Sequence, residues 1–270
     1  MRSLEIGLDK NRIDGIYPKS SSKDYYRANR SDNVVLSVDQ NLLTVSVVRF
    51  YSEMPEPENK LYLHDGYLYG VDRGEWGGCV FFIPEKDVDS TIIELNRSKL
   101  SFKWIYPIPE PKTGELYYLL NENFRGFAKN GCRKFVFTGF AHMCTDEGCL
   151  YEIVLEEEIW VAKEMFILDS YPHVFTQVGA TIYLATSDRL VEISLAGDKP
   201  IINVIVEDLG WGGLYPNSMV CAKDSIYVGL RGFVYEHNLK SGKAKWYNYL
   251  SYDKESVKEL ENNEWFLSRP

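Results

Sequence analysis

Two glycine-rich strings carry the residues best suited to holding a ligand. Residues 74–78 read Gly-Glu-Trp-Gly-Gly and residues 210–213 read Gly-Trp-Gly-Gly. Glycine lets the backbone approach a ligand closely, and the indole ring offers a large flat surface. We therefore predict that Glu75, Trp76 and Trp211 line a binding site. The alternative is structural, with glycine-rich turns between strands and each Trp packed between neighbouring sheets.

Three further residues have the chemistry of a protein interface. Arg125 and Arg231 each stand before Gly-Phe, and Tyr215 stands before a proline in a turn. Arginine and tyrosine are enriched where protein interfaces gain most of their binding energy. We predict that Arg125, Arg231 and Tyr215 contact a partner, the alternative being turn arginines that are only solvated.

The residue types needed for covalent catalysis are sparse. The chain has four histidines, and no Gly-x-Ser-x-Gly elbow or Walker-type phosphate loop occurs. A Ser or Cys nucleophile needs a His base and a third orienting group. His142, Cys144 and Cys149 lie close in sequence, but the paired Cys-x2-Cys spacing of a structural zinc site is absent. We predict no catalytic residues from these patterns.

One turn resembles part of a known family. Residues 215–219 read Tyr-Pro-Asn-Ser-Met and lead into a strand ending in Ile-Tyr-Val-Gly. Over about 15 residues this resembles the Pro-Asn-Gly turn and following strand of lactonase-type propellers, the gluconolactonase-like family, and it departs at Ser218, where that family has Gly. The resemblance implies that Asn217, and no other residue, binds a divalent cation in a central channel. If the chain is a hydrolase of this type, we expect Asp169 or Glu75 to assist at the mouth of that channel. The alternative is that Asn217 caps its own turn.

A repeat of 44 residues supplies the elements that must position these side chains. Tyr-Pro at 171–172 recurs at 215–216, Ile-Tyr at 182–183 recurs at 226–227, and Glu192 recurs as Glu236. A period near 44 built from strands is typical of propeller blades. Short apolar strands with polar turns every 8–12 residues fit an antiparallel four-stranded blade.

The predicted strands follow from this repeat. In the two clearest units, 169–210 and 211–250, they are 173–177, 181–185, 190–195, 201–206, 218–222, 225–229, 233–239 and 244–249. Looser units lie near 57–95 and 124–168, the second with an insertion at 140–147, and 34–38 with 42–50 form a hairpin. Residues 96–123 are a diverged blade or a long insertion. Residues 1–32 either supply a strand to the last blade or form a ragged arm, and residues 251–270 form a tail or short helix.

These units resemble the general blade pattern of Kelch, quinoprotein and lactonase propellers. We predict a single all-β propeller domain over residues 1–270, with five or six four-stranded antiparallel blades, or seven as the alternative.

Charge and composition narrow the partner class. The net charge is −9, with 39 acidic and 30 basic residues, which disfavours nucleic acid and favours a basic protein partner. No apolar stretch fits a signal peptide or membrane span. The five cysteines are odd in number and irregularly spaced, which favours free thiols. We therefore expect a cytoplasmic monomer without a cofactor.

Three functional hypotheses follow. The first is a non-catalytic binding protein for a basic protein partner, in the manner of an immunity protein against a toxin. The second is a metal-dependent hydrolase of the lactonase or cyclase type, with a divalent cation at Asn217 in the central funnel. The third is a lectin that stacks sugars on Trp76 and Trp211.

Overall fold

The computed structural model describes residues 12–13, 22–39, 42–48, 59–72, 78–84, 117–120, 122–142, 145–157, 159–249 and 258. This part of the chain is all-β, with one short α-helix, α1 (Lys23–Ala28), and one 3-10 turn (Gly212–Leu214). Within it, no helix is long and apolar enough to cross a membrane. The predicted all-β class with antiparallel four-stranded sheets is confirmed.

The strands, in chain order, are β1 (Arg12–Ile13), β2 (Asn33–Asp39), β3 (Leu42–Val48), β4 (Lys60–Tyr62), β5 (Gly66–Asp72), β6 (Gly78–Pro84), β7 (Tyr117–Leu120), β8 (Asn123–Asn130), β9 (Arg133–His142), β10 (Thr145–Glu156), β11 (Ile159–Leu168), β12 (Pro172–Val178), β13 (Thr181–Thr186), β14 (Leu190–Ser194), β15 (Ile201–Val206), β16 (Ser218–Ala222), β17 (Ser225–Gly229), β18 (Phe233–Asn238) and β19 (Ala244–Asn248).

The chain divides into two compact units, the first formed by residues 1–55 and 170–270 and the second by residues 56–169. The first unit holds the sheets β12–β15 and β16–β19 and the hairpin β2–β3. Strand β16 contacts both β12 and β2. A single propeller domain over the whole chain stays a prediction.

The two sheets of the 44-residue repeat have the same internal register. Tyr183 pairs with Glu192 in the first, and Tyr227 pairs with Glu236 in the second. The alternating apolar residues of these central strands are buried, as expected when one sheet packs on the next. The predicted strands of both sheets are confirmed to within one or two residues at their ends.

The N-terminal region supplies a strand to the last sheet, as predicted. Arg12 and Ile13 pair antiparallel with Tyr247 and Trp246 on the outer side of β19. The helix α1 was not predicted. Its N-cap is Ser22, whose hydroxyl accepts a hydrogen bond from the backbone N–H of Tyr25.

The second unit contains the sheets β4–β7 and β8–β11. Strand β7 pairs with β6, so the last part of the irregular segment 96–123 is the fourth strand of a sheet. The residues predicted as an insertion in this hairpin, 140–147, extend β9 and β10, and Thr145 pairs with His142. The predicted tail 251–270 lies outside the described residues, apart from Lys258.

Each unit has its own apolar core. In the first unit, Trp211, Tyr235 and Ile226 are among the buried residues that pack together. In the second unit, Leu68 and Phe124 belong to the corresponding cluster. These cores pack the strands of each unit together, and the turns that carry the candidate site residues begin at the ends of these strands.

Candidate binding surface around Tyr215 and Arg231

Two predicted site residues from different turns meet on the first unit. Tyr215 lies in the connection from β15 to β16, and Arg231 lies in the turn from β17 to β18. The Arg231 guanidinium carbon lies 4.3 Å from the centre of the Tyr215 ring. A guanidinium over a tyrosine face is attracted by the ring's negative face. Tyr215 nevertheless stays 43% exposed.

Arg231 is fixed by the end of helix α1. Its Nη1 donates to the backbone oxygen of Asn29 at 2.9 Å and to Asn29 Oδ1 at 2.5 Å. On the same helix, Tyr25 packs so closely against Gly213 that a Cβ at position 213 would lie 2.3 Å from the Tyr25 hydroxyl. Burial raises the pKa of Tyr25. The helix therefore bridges the two turns that carry Tyr215 and Arg231.

Backbone hydrogen bonds also hold the turn around Arg231. The N–H of Arg231 donates to the carbonyl of Leu214 at 2.9 Å, and Gly232 N–H donates to the carbonyl of Asp32 at 3.0 Å. Gly232 has φ +68°, a conformation that glycine adopts without the steric penalty of a side chain. Tyr215 itself has φ +51°, which is uncommon for a residue with a side chain. The connection to β16 holds Tyr215 in this conformation, with its ring facing Arg231.

Trp211 has a different environment from the one predicted for a ligand-binding residue. Its side chain is fully buried, and its Nε1 donates to the carbonyl of Thr186 at 2.7 Å. Its ring meets Tyr235 edge to face, with centroids 5.2 Å apart. This environment fits the alternative that Trp211 packs between neighbouring sheets. A role for Trp211 in binding stays a prediction.

Asn217 is the predicted metal ligand. Its backbone N–H donates to Gly229 O at 2.9 Å, but neither side-chain amide atom, both of which are buried, has a hydrogen-bond partner among the described residues. The same holds in this part of the chain for Ser31 Oγ and Asn33 Oδ1. Buried polar atoms of this kind are usually satisfied by ordered water, an ion or a ligand. Among the described residues, no three His, Cys, Asp or Glu side chains come together.

The remaining predicted residues lie elsewhere. Arg125 lies in β8 of the second unit, where its Nη1 forms an ion pair with Asp72 Oδ2 at 2.6 Å. Glu75 and Trp76 lie outside the described residues. The structure therefore brings together Tyr215 and Arg231, with Trp211 in the core below the same connection.

Ionisable groups form internal hydrogen-bond networks in both units, buried in the first and half-buried in the second. Glu236 accepts hydrogen bonds from Ser225, at 3.1 Å, and from Tyr247. In the second unit, Tyr151 donates to Glu122 Oε1 at 2.7 Å, and burial raises the pKa of Tyr151. The Glu236 bonds join three neighbouring strands, β17, β18 and β19. Carboxylates held in this way have their lone pairs satisfied within the sheet, which is a structural role.

The contact from Asn29 to Arg231 was missed by the sequence analysis. The two residues are 202 positions apart, and no periodicity links them. The available signal was local: Ser22 followed by Lys-Asp-Tyr-Tyr-Arg-Ala has the N-cap and length of a short helix. Even so, a predicted helix would not have shown which turn it contacts.

Comparison with known proteins identifies no family. No protein-family model matches this chain, and no curated protein matches it. Among solved structures, the AtxE2 isopeptidase in its apo form superposes with a TM-score of 0.34 at 9% identity. The superposition covers 75% of this chain and 29% of the isopeptidase chain. The AfRom2 CNH domain gives a TM-score of 0.34 at 9% identity, covering 79% of this chain and 83% of that one. The computationally designed Ika8 protein gives 0.30 at 7% identity, covering 79% and 73%. Likenesses this weak carry no argument about fold or function.

Proposed function

We propose that the chain is a non-catalytic β-propeller binding protein and that Tyr215 and Arg231 form the centre of its binding surface. In this proposal the four-stranded sheets are blades, five or six in number. The 44-residue repeat and the matching register of its two sheets support the blade interpretation.

The observation that carries the proposal is the preorganised pair itself. Tyr215 is exposed, yet Arg231 lies over its ring and is held by two hydrogen bonds to Asn29. Side chains already ordered in the free protein lose little conformational entropy when a partner binds. Tyrosine and arginine are also the residue types that most often dominate interface energetics.

The partner we propose is a basic protein. The chain carries a net charge of −9, and Glu207 and Asp208 are exposed in the same connection that carries Tyr215. Acidic groups beside an aromatic anchor attract a basic partner and raise its association rate. Neutralisation of a basic toxin, as by an immunity protein, is the form of this function that we favour.

Site-specific photocrosslinking tests the proposal. A benzophenone amino acid replaces Tyr215 in one variant and Val178, which is 50% exposed at the end of β12, in the control. We expect position 215, but not 178, to capture a discrete protein of basic pI from the source cell. The purified partner should then bind Tyr215→Ala and Arg231→Ala about 10–100-fold more weakly, as for interface hot spots, and bind Val178→Ala normally.

Three results would count against this function. Position 215 could capture nothing beyond what position 178 captures, the captured protein could be acidic, or the alanine variants could bind as tightly as the wild type. An affinity that does not fall as salt is raised would contradict the electrostatic part of the proposal alone.

One observation favours the hydrolase as a second candidate. The buried amide of Asn217 has no partner among the described residues, and an amide oxygen is a suitable ligand for a hard cation. Elemental analysis of the purified chain tests this candidate. A stoichiometric divalent metal that is lost in Asn217→Ala, but retained in Asn203→Ala, would support it. A chain free of bound metal after incubation with calcium, manganese and zinc would refute it.

A further inference from the structure

Three polar side chains of the first unit are buried and end in atoms that have no hydrogen-bond partner among the described residues. Ser31 and Asn33 are only 6% and 3% exposed, and the atoms concerned are Ser31 Oγ and Asn33 Oδ1. Both side-chain amide atoms of Asn217, Oδ1 and Nδ2, are buried in the same way. Because a buried polar atom without a partner destabilises a fold, these four atoms indicate a bound ligand.

The two segments that carry these side chains contact each other. Val34, which follows Asn33, accepts a hydrogen bond at 3.2 Å from the hydroxyl of Ser218, which follows Asn217. Ser31 precedes Asn33 by two residues on the same segment. The four unpartnered atoms therefore belong to one region of the first unit, which we call the buried polar cluster.

The 44-residue repeat explains why Asn217 lacks a partner. Its equivalent in the first repeat is His173, whose Nε2 lies 3.3 Å from the hydroxyl of Ser187. The equivalent of Ser187 is Arg231, whose guanidinium donates instead to Asn29. Asparagine is also a shorter side chain than histidine. A ligand the size of one hydroxyl group therefore suits the second repeat beside Asn217, where the first repeat has the Ser187 hydroxyl beside His173.

We propose that the buried polar cluster binds one or two water molecules. A cation would be held by the oxygen atoms but would leave the two N–H groups of Asn217 without an acceptor. An anion would be repelled by the two amide oxygens, and the cluster has no charged side chain to balance either ion. Water both donates and accepts, and a buried water makes about three hydrogen bonds, which these four atoms can supply.

The proposed water links the segments that carry the candidate binding surface. Each member of the cluster is two residues from, or bridged to, one residue of that surface: Ser31 to Asn29, Asn33 to Arg231 and Asn217 to Tyr215. A water-mediated contact is nearly as favourable as a direct hydrogen bond, so it helps to fix these segments relative to one another. The inference concerns the free chain and does not depend on the proposed partner.

A crystal structure of the full chain tests the site, with crystals grown once with a chelator and once with calcium and manganese. In both we expect ordered water within about 3.2 Å of the Asn217 amide, bonded also to Asn33 or Ser31. The absence of such water, or direct hydrogen bonds among the three side chains, would overturn the proposal. So would an atom about 2.0–2.6 Å from their oxygens, the distance of a bound divalent metal, which would support the hydrolase instead.

Urea unfolding tests whether Asn33 and Asn217 share the water. Asn33→Ala and Asn217→Ala should each raise the equilibrium constant for unfolding. The double variant should raise it at least about threefold less than the product of the two single effects, because both substitutions disturb the same water. Asn203→Ala, at an exposed position on β15, is the control, and its effect should simply multiply with that of Asn217→Ala. A simple product for Asn33 and Asn217 as well would overturn the shared site, and if a variant fails to fold, the wild-type crystal structure decides.

Discussion

Replacing Trp211 with Phe separates its packing from any role in binding. The indole N–H donates to the carbonyl of Thr186 inside the core at 2.7 Å. Leaving that buried carbonyl without its donor costs about 1–3 kcal/mol. The smaller ring also loses part of the contact with Tyr235, and large-to-small changes in a core add roughly 1 kcal/mol for a loss of this size. We therefore expect Trp211→Phe to lower the free energy of unfolding by about 2–4 kcal/mol.

Urea unfolding followed by far-ultraviolet circular dichroism measures this loss without relying on tryptophan emission. Trp246→Phe is the matched control, because Trp246 belongs to the same cluster but is only half-buried. Its loss should be less than about half of that for Trp211→Phe, since large-to-small costs scale with burial. Equal losses, or a loss below about 1 kcal/mol for Trp211→Phe, would contradict this account of its hydrogen bond. A stable Trp211→Phe variant with altered partner binding would instead support the predicted ligand-contacting role.

Three further predictions concern other parts of the chain. Gly229→Ala should reduce stability by more than about 3 kcal/mol in urea unfolding, because the added Cβ would lie 2.1 Å from the carbonyl oxygen of Val34. Burial lowers the pKa of His237, so the unfolded chain takes up a proton more readily than the folded one. Stability should therefore fall as the pH drops below about 6.5, and His237→Gln should reduce that dependence in unfolding measured from pH 8 to 5. Burial raises the pKa of Cys149 to about 12, so iodoacetamide at pH 8 should modify the exposed Cys132 well before Cys149 in peptide mapping; equal rates would refute this.

Strand positions were predictable from the sequence because two physical signals coincide. Apolar residues alternate in the central strands, and the same alternation returns after 44 residues. The pairing of Tyr183 with Glu192 and of Tyr227 with Glu236 shows that the repeat also fixes the register. Polar turns such as residues 240–243 then determine where each hairpin closes.

The candidate site was harder to predict, because its residues meet through long-range contacts. The types of Tyr215 and Arg231 indicated binding, but their stacking depends on two separate turns and on Asn29 at the end of α1. Trp211 could not be assigned to the core or the surface from its glycine neighbours alone. Glycine-rich turns occur around both exposed and buried tryptophans. Here the hydrogen bond from the Trp211 indole to the carbonyl of Thr186 places the side chain in the core, and the sequence does not show that bond.

The two repeats differ at one end of their sheets. This difference indicates that a partner would bind only the sheet that carries Tyr215 and Arg231. Tyr171 is the equivalent of Tyr215, but it is only 7% exposed where Tyr215 is 43% exposed. Arg231 is equivalent to Ser187, whose Oγ lies 3.3 Å from the ring nitrogen of His173. The buried strands of the two sheets share both spacing and register, whereas the two tyrosines differ in exposure and Arg231 differs from Ser187 in residue type. A partner that recognises Tyr215 and Arg231 would therefore contact one copy of the repeat. Ser187→Arg, which places an arginine in the turn next to Tyr171, should not create a second site, because Tyr171 is buried and the Asn29 oxygens that fix Arg231 bond to the turn of the other sheet.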